Sequence, residues 1–543
     1  MQSTMQDVPL TVTEIFRRGR RIYGDSQVVT FEGEGSRRAS FAEVADRTDR
    51  LAAGLRRLGV GPGDRVGTLC WNHQAHLEAY FAVPGLGAVL HTLNLRLYPP
   101  QLAFIINHAE DRVIIADASL LPLLTAIRPS LRTVEKIVLV GKGDATGLGE
   151  VIGYEELIAG SPPLRAWPEL DERQAAAMCY TTGTTGDPRG VVYSHRSIWL
   201  HSFAVGHNFR LDDSDRICMI VPMFHVLAWG TPHAAWMGGC DMHLPERFLQ
   251  PEPLLSFILQ ERPTFLGGVP TIYQGLLGAA LATGADLSFV RLGIGGGAAV
   301  PTSLMQAYQR WFPLVQAWGM TETSPIGTVA HPPRGVTEDH PDYWRYRSKT
   351  GRIVAGVELR ITDPGGDELP WDGESVGEIE VRGPWITASY FGIDASGSFH
   401  DGWLRTGDVG SVDARGYVQI TDRSKDVIKS GGEWISSVEL ENHLMAHPAV
   451  VDVAVVGIPD QRWQERPLAV VALRPGQPAD PEELRQYLAG KVAHFSLPES
   501  WAFVTEIPKT SVGKQDKKLI RRMQAEGRLE VQRVSEPREA AGS

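Results

Sequence analysis

A chain of 543 residues is too long for one ordinary hydrophobic core, so two or more domains are expected. Hydrophobic residues make up 43% and charged residues 22%, which excludes a disordered or fibrous chain. The formal charge of −11, from 53 basic and 64 acidic residues, argues against nonspecific nucleic-acid binding but leaves room for a local basic pocket.

The N-terminal stretch MQSTMQDVPLTVTEIFRRGRR has no apolar run able to serve as a signal-peptide core. Ser40-Phe-Ala-Glu43 has the form of a capping box. Phe41, Val44, Ala45, Thr48, Leu51, Ala52, Leu55 and Leu58 then keep helical spacing until Gly59 ends the run. Strand-like segments at 65–70, 113–116 and 136–140 alternate with helical stretches, which predicts an α/β fold with largely parallel sheets. The longest apolar stretch, 79–90, is broken by Pro84, Gly85 and Gly87 and falls short of the roughly 20 residues a bilayer requires. No membrane span is expected, and peripheral membrane contact stays open. Cys70, Cys179, Cys218 and Cys240 are widely spaced without metal-site spacing and read as reduced thiols of a cytoplasmic protein.

Beyond about residue 350, short β-rich segments at 357–362, 377–382 and 417–421 predict a small antiparallel subdomain. The pattern resets after Asp422-Arg-Ser-Lys425: strands are expected at 450–456 and 468–473, and Asp480-Pro-Glu-Glu483 opens a capped helix. The expected organisation is therefore a large N-terminal domain, 1–423, holding two helix-flanked sheets plus the β-rich subdomain. A small α+β domain, 424–543, follows it.

The strongest local signal is Tyr180-Thr-Thr-Gly-Thr-Thr-Gly-Asp-Pro-Arg-Gly190. Glycines let successive backbone N–H groups converge on an anion, threonines add hydroxyls, and Arg189 adds positive charge. Taken alone, the segment is equally a polar loop after a strand. It is not a Walker A loop, because no GKS or GKT sits at the required spacing.

This segment resembles the phosphate loop of the adenylate-forming superfamily, which contains acyl-CoA synthetases, peptide-synthetase adenylation domains and luciferases. Further motifs follow in the family's order. They are Pro222-Met-Phe-His-Val-Leu-Ala-Trp229, Gly295-Gly-Gly-Ala-Ala299, Gln316-Ala-Trp-Gly-Met-Thr-Glu-Thr323, Trp403-Leu-Arg-Thr-Gly-Asp408, Asp422-Arg-Ser-Lys-Asp-Val-Ile-Lys-Ser-Gly-Gly-Glu-Trp434 and Pro508-Lys-Thr-Ser-Val-Gly-Lys514.

The resemblance implies an ATP-dependent acyl-CoA synthetase that forms an acyl-adenylate and transfers the acyl group to coenzyme A. Mg²⁺, ATP, coenzyme A and a small-molecule carboxylic acid are the implied ligands, and a homodimer is compatible with it. Thr181 and Glu322 would hold Mg²⁺. Thr182, Gly183, Thr184, Thr185, Gly186 and Arg189 would cradle the phosphates, with Thr321 near the α-phosphate. Gly297, Ala298, Gln316, Trp318 and Gly319 would surround the adenine and the acyl carbonyl. Asp408 and Arg423 would take the ribose.

Lys514 would bridge carboxylate and α-phosphate during adenylation. The C-terminal domain would then rotate about Lys425, presenting Lys429, Gly431, Gly432 and Trp434 to coenzyme A. His225, Val226 and Trp229 resemble the gate segment of medium- and long-chain fatty acyl-CoA synthetases. Ligases for short thioether acids such as 3-methylthiopropionate share this pattern, so chain length stays open.

Taken singly, Glu322 is a helix-start carboxylate, Asp408 a turn residue, Trp229 a core tryptophan, and Lys514 a solvated lysine like Lys517 and Lys518. The sequence departs from the family at Arg189, where lysine is commoner, at Thr182, where serine is commoner, and at Trp318, where tyrosine is commoner. Charge, hydroxyl and aromatic ring are each preserved. A carrier-protein-loading enzyme and a luciferase would share every ATP motif. A non-catalytic nucleotide-binding regulator would have no need of Glu322 and Lys514 together.

Overall fold

The computed structural model describes residues 1, 3–181, 188–423, 426, 428–430, 433–510 and 515–534. Among these the strands form three sheets. One runs Val151–Gly153, Lys136–Val140, Asp111–Asp117, Arg65–Leu69, Val89–Thr92, Ala175–Tyr180, Gly190–Ser194. It is parallel except for its last strand, which returns antiparallel to Ala175–Tyr180.

The second sheet carries the parallel strands Asp241–Leu244, Arg216–Met219, Phe265–Gly268, Leu292–Gly295 and Leu314–Gly319. The β-rich segment beyond residue 350 does not form a sheet of its own. Ile326–Val329 pairs antiparallel with Leu314–Gly319 and leads into Gly351–Ile353, Tyr417–Arg423, Trp403–Val412, Gly377–Arg382 and Glu358–Thr362, so the expected subdomain extends the second sheet. The third sheet is built on Gln464–Leu473, flanked by Val450–Asp460 and Ser500–Val504.

The local forces are those expected from the sequence. Ser40 caps Phe41–Arg57, with its hydroxyl accepting from Glu43 N–H and the Glu43 carboxylate accepting from Ser40 N–H. Asp480 caps Pro481–Leu488 by one bond, its carboxylate accepting from Glu483 N–H at 2.8 Å. The apolar run at 79–90 resolves into the helix Gln74–Gly85, buried on every side, and the buried strand Val89–Thr92. A helix buried all round needs no polar face, which explains its lack of amphipathic pattern. Phe41 stacks on Trp236 at 4.0 Å in the core beside it. All four cysteines are buried free thiols. No described helix is long and apolar enough to cross a membrane.

Candidate active site

Three chain segments end at one place. The hairpin Ala175–Tyr180/Gly190–Ser194 delivers the first, with Tyr180 opposite Gly190. Thr181 N–H donates to the Arg189 carbonyl at 2.9 Å and Arg189 N–H to Thr181 Oγ1 at 3.2 Å, closing the neck of the Gly/Thr segment. Thr182, Gly183, Thr184, Thr185 and Gly186 lie outside the described residues. The Arg189 guanidinium sits 5.2 Å over the Tyr390 ring and donates to Ser398 Oγ at 3.1 Å.

The second segment is the end of Leu314–Gly319 and the turn Thr321–Thr323. Gly319 is obligatory, since a Cβ there would lie 1.6 Å from the Pro325 carbonyl oxygen. The Trp318 indole N–H donates to the Asp408 carboxylate at 2.9 Å. Asp408 is 2% exposed on Trp403–Val412, in register with Arg423 of the neighbouring strand. Glu322 is 6% exposed. Its Oε1 accepts from the Tyr390 hydroxyl at 2.6 Å, and its backbone carbonyl accepts from Thr387 N–H at 2.8 Å. Tyr193 O–H fixes the Thr321 carbonyl at 2.8 Å.

The third segment follows His225. Val226, Leu227, Ala228 and Trp229 have φ of 47°, 49°, 49° and 59°, a left-handed turn without glycine. Such residues cost about 1–2 kcal/mol each, so packing must hold them. Val226, Leu227 and Ala228 are buried, and Thr231 Oγ1 donates to the Ala228 carbonyl at 2.7 Å. The turn sets the Trp229 ring against the glycine backbone after Leu292–Gly295. A Cβ on Gly296 would meet Trp229 Cη2 at 3.1 Å, and Gly297 has φ +79°. Gln316 Oε1 accepts from Val300 N–H at 2.6 Å. That carbonyl is committed to shaping the 296–300 turn, which leaves the amide nitrogen for a ligand.

One cavity of about 1960 Å³ joins these parts, lined by Thr181, Arg189, His225, Val226, Trp229, Gly297, Ala298, Gln316, Trp318, Gly319, Thr321, Glu322 and Asp408. The C-terminal part adds Glu441, Thr510, Gln515, Lys517 and Arg521 to its wall. Lys425, Gly431, Gly432 and Lys514 lie outside the described residues, though Thr510 and Gln515 flank the segment that carries Lys514. Arg423, Lys429 and Trp434 are described by backbone alone, in Tyr417–Arg423, Ile428–Ser430 and Glu433–Ile435, with Lys429 paired to Trp434.

One expectation is corrected. Lys517 is not a solvated lysine like Lys518. Its side chain is 12% exposed, its ammonium lies 2.8 Å from Glu441, and it donates to Ser437 Oγ at 2.5 Å. Burial pushes the Glu441 carboxyl up to about 7 against the pull of Lys517. Sequence reasoning also missed Tyr390 and Ser398. Neither sits in a charged or glycine-rich motif, and both reach the site from a loop far along the chain.

The arrangement suits a reaction between anions. Glu322 is a buried carboxylate with no basic side chain paired to it among the described residues, so it can accept a cation. Thr181 adds a neutral oxygen on the same cavity. A donor set of one carboxylate and one hydroxyl fits Mg²⁺, which takes few protein ligands and completes its shell with phosphate and water.

The family model for AMP-binding enzymes matches residues 16–391, and that for the AMP-binding enzyme C-terminal domain matches 439–514. The 3-methylmercaptopropionyl-CoA ligase of Ruegeria pomeroyi is 44% identical over 96% of this chain and 98% of its own length. The long-chain-fatty-acid–CoA ligase of Thermus thermophilus is 45% identical over 96% of each. Among solved structures, the anthranilate CoA ligase AuaEII in complex with anthranoyl-AMP superposes with a TM-score of 0.87 at 29% identity, covering 97% of this chain and all of that one.

Proposed function

We propose that this chain, which belongs to the AMP-binding enzyme family and is an acyl-CoA ligase using ATP, CoA and a small-molecule acid, activates a medium- or long-chain fatty acid. One observation supports the choice of acid above others: the cavity in which Trp229 stands against the Gly296–Gly297 backbone is also walled by Val205, Phe209, Leu277 and Leu281, apolar surface suited to an acyl chain.

In the adenylation half, the acid carboxylate attacks the α-phosphorus of ATP and pyrophosphate leaves. Both reactants are anions, so the site must offset charge and fix an in-line approach. Arg189, with the Gly/Thr segment of 182–186, holds the phosphates. Mg²⁺ held by Thr181 and Glu322 supplies charge neutralisation at the phosphates when bound. Thr321 lies at the α-phosphate, Trp318 and the Gly297–Ala298 backbone take adenine, and Asp408 with Arg423 takes the ribose hydroxyls.

Lys514 bridges carboxylate and α-phosphate, consistent with Thr510 and Gln515 on the cavity wall. In the second half the CoA thiolate attacks the acyl carbonyl and AMP leaves. The 424–543 domain turns about Lys425 to bring Lys429, Gly431, Gly432 and Trp434 toward that thiol, while His225 lines the junction. Shielding the adenylate between the halves limits its hydrolysis. A cytoplasmic setting fits the four reduced thiols.

A second reading is favoured by the 44% identity to the Ruegeria pomeroyi enzyme: the acid is a short thioether acid such as 3-methylthiopropionate. The discriminating experiment measures kcat/KM for acyl-CoA formation across straight-chain acids of four to eighteen carbons and 3-methylthiopropionate. A maximum at eight carbons or longer supports the fatty-acid reading. A maximum at 3-methylthiopropionate, with long chains poor, overturns it.

A further inference from the structure

The segment 387–398 belongs to none of the motifs that identify the site, yet four of its residues touch two of them. Thr387 N–H donates to the Glu322 carbonyl and Phe391 N–H to the Gly190 carbonyl, each at 2.8 Å. Ser398 Oγ accepts from Arg189 Nη1 at 3.1 Å. Tyr390, 8% exposed, contacts both: its hydroxyl donates to Glu322 Oε1 at 2.6 Å, and the Arg189 guanidinium lies 5.2 Å over its ring.

A carboxylate has two oxygens with similar lone pairs, and on its own it swivels. A phenol bound to one of them fixes the plane of the group and leaves the other free for a cation. The same ring, presented to a guanidinium, attracts it through the negative face of its π-system. One side chain therefore sets the distance between the anion on the metal side of the nucleotide and the cation on its phosphate side. The backbone contacts of Thr387 and Phe391 hold that side chain in register with both partners.

We infer that Tyr390 is a positioning residue for adenylation, orienting the Glu322 carboxylate through its hydroxyl and seating the Arg189 guanidinium on its ring. The inference rests on the assignment of Glu322 and Arg189 given under the proposed function. It makes a distinction that a packing role does not: the hydroxyl acts through Glu322 and the ring through Arg189.

The test is a double-mutant cycle of Tyr390→Phe and Glu322→Gln in the full-length enzyme, read by acid-dependent ATP–pyrophosphate exchange across a magnesium titration. Tyr390→Phe keeps the ring and removes one charge-assisted hydrogen bond. About a ten- to thirtyfold drop in exchange is expected, with half-saturation at several times more magnesium. In the Glu322→Gln background the same change should cost less than threefold, because the group it orients has already lost its charge.

A second readout is free of turnover. Binding of manganese-loaded α,β-methylene ATP, followed by loss of the free-manganese paramagnetic resonance signal, should weaken at least fivefold in Tyr390→Phe. Tyr390→Leu, which also removes the ring, should further raise the KM for pyrophosphate. Thioester formation from supplied acyl-AMP and CoA should stay near wild type in Tyr390→Phe.

Losses that multiply in the double variant overturn the inference, and so do equal losses in both half-reactions with a lowered unfolding temperature. If Glu322→Gln alone leaves exchange and manganese binding unchanged, the assignment of Glu322 itself fails. That outcome is distinct from a multiplicative cycle in which Glu322→Gln is severely impaired.

Discussion

Replacing Lys517 by methionine probes the buried charge that joins the helix Lys517–Ala525 to the wall of the cleft. The ammonium pairs with Glu441 at 2.8 Å and donates to Ser437 Oγ, while Glu441 Oε1 also accepts from Val455 N–H at 2.7 Å. Methionine keeps the stem and removes the charge.

Burial, opposed by Lys517, holds the Glu441 carboxyl at about 7, above its ordinary 4.5. A carboxyl raised in the folded state contributes stability that is full below 4.5 and lost as pH rises to about 7, after which the wild-type contribution is level. Without its cation the carboxyl holds its proton to higher pH, so in Lys517→Met the decline continues above 7. At about 1.4 kcal/mol per pH unit, two further units give roughly 3 kcal/mol, the low end of the 3–5 kcal/mol typical of a broken buried pair.

The assay is hydrogen exchange followed by mass spectrometry at the amides of Ser437–Met445 and Lys517–Ala525. Protection should fall on the order of a hundredfold at pH 9 and little at pH 6. Adding Glu441→Leu should recover most of it. Lys518→Met, at an exposed position, should leave protection unchanged. A Lys517→Met variant as well protected as wild type at pH 9, or equally impaired at both pH values, would show that the Lys517–Glu441 pair does not set this pH dependence.

Other substitutions separate the parts of the site. Trp229→Ala should shift selectivity across acid chain lengths by tenfold or more while the KM for ATP moves less than about threefold, because the ring meets the 296–297 backbone and not the phosphates. Trp318→Phe removes the 2.9 Å hydrogen bond to Asp408. A bond to a charged acceptor is worth about 1.5–3 kcal/mol, so the KM for ATP should rise roughly ten- to a hundredfold with the KM for the acid nearly constant. Lys514→Ala should lower adenylation on the order of 100- to 1000-fold, about 3–4 kcal/mol, and leave thioester formation from supplied acyl-AMP intact. Equal loss of both halves would remove Lys514 from its assigned role.

Much of the fold was legible because its signals are local. The Ser40 capping box, the Asp480 cap and the strands at 65–69 and 136–140 each rest on neighbouring residues. Thr181, Trp229, Gly297, Trp318, Glu322 and Asp408 line one cavity because they lie at strand ends and in the turns that follow.

What escaped was set by distant contacts. Val-Leu-Ala-Trp at 226–229 carries no glycine or asparagine to announce a left-handed turn; burial beneath neighbouring elements imposes it. Lys517 beside Lys518 reads as a solvated pair until Glu441 arrives from another helix. Tyr390 meets Glu322 across 68 residues of sequence. The β-rich stretch beyond residue 350 looks separate because its own pattern changes there. The pairing that merges it with the second sheet begins earlier, at Ile326–Val329.

In the proposed reaction the acid is activated as an adenylate before CoA takes part. Acid-dependent exchange of labelled pyrophosphate into ATP, measured with no CoA present, tests it most directly. Exchange should require the acid and magnesium, proceed without CoA, and be followed by AMP release with thioester formation once CoA is added. Absence of exchange with every acid from four to eighteen carbons and with 3-methylthiopropionate, or release of ADP in place of AMP, would contradict it.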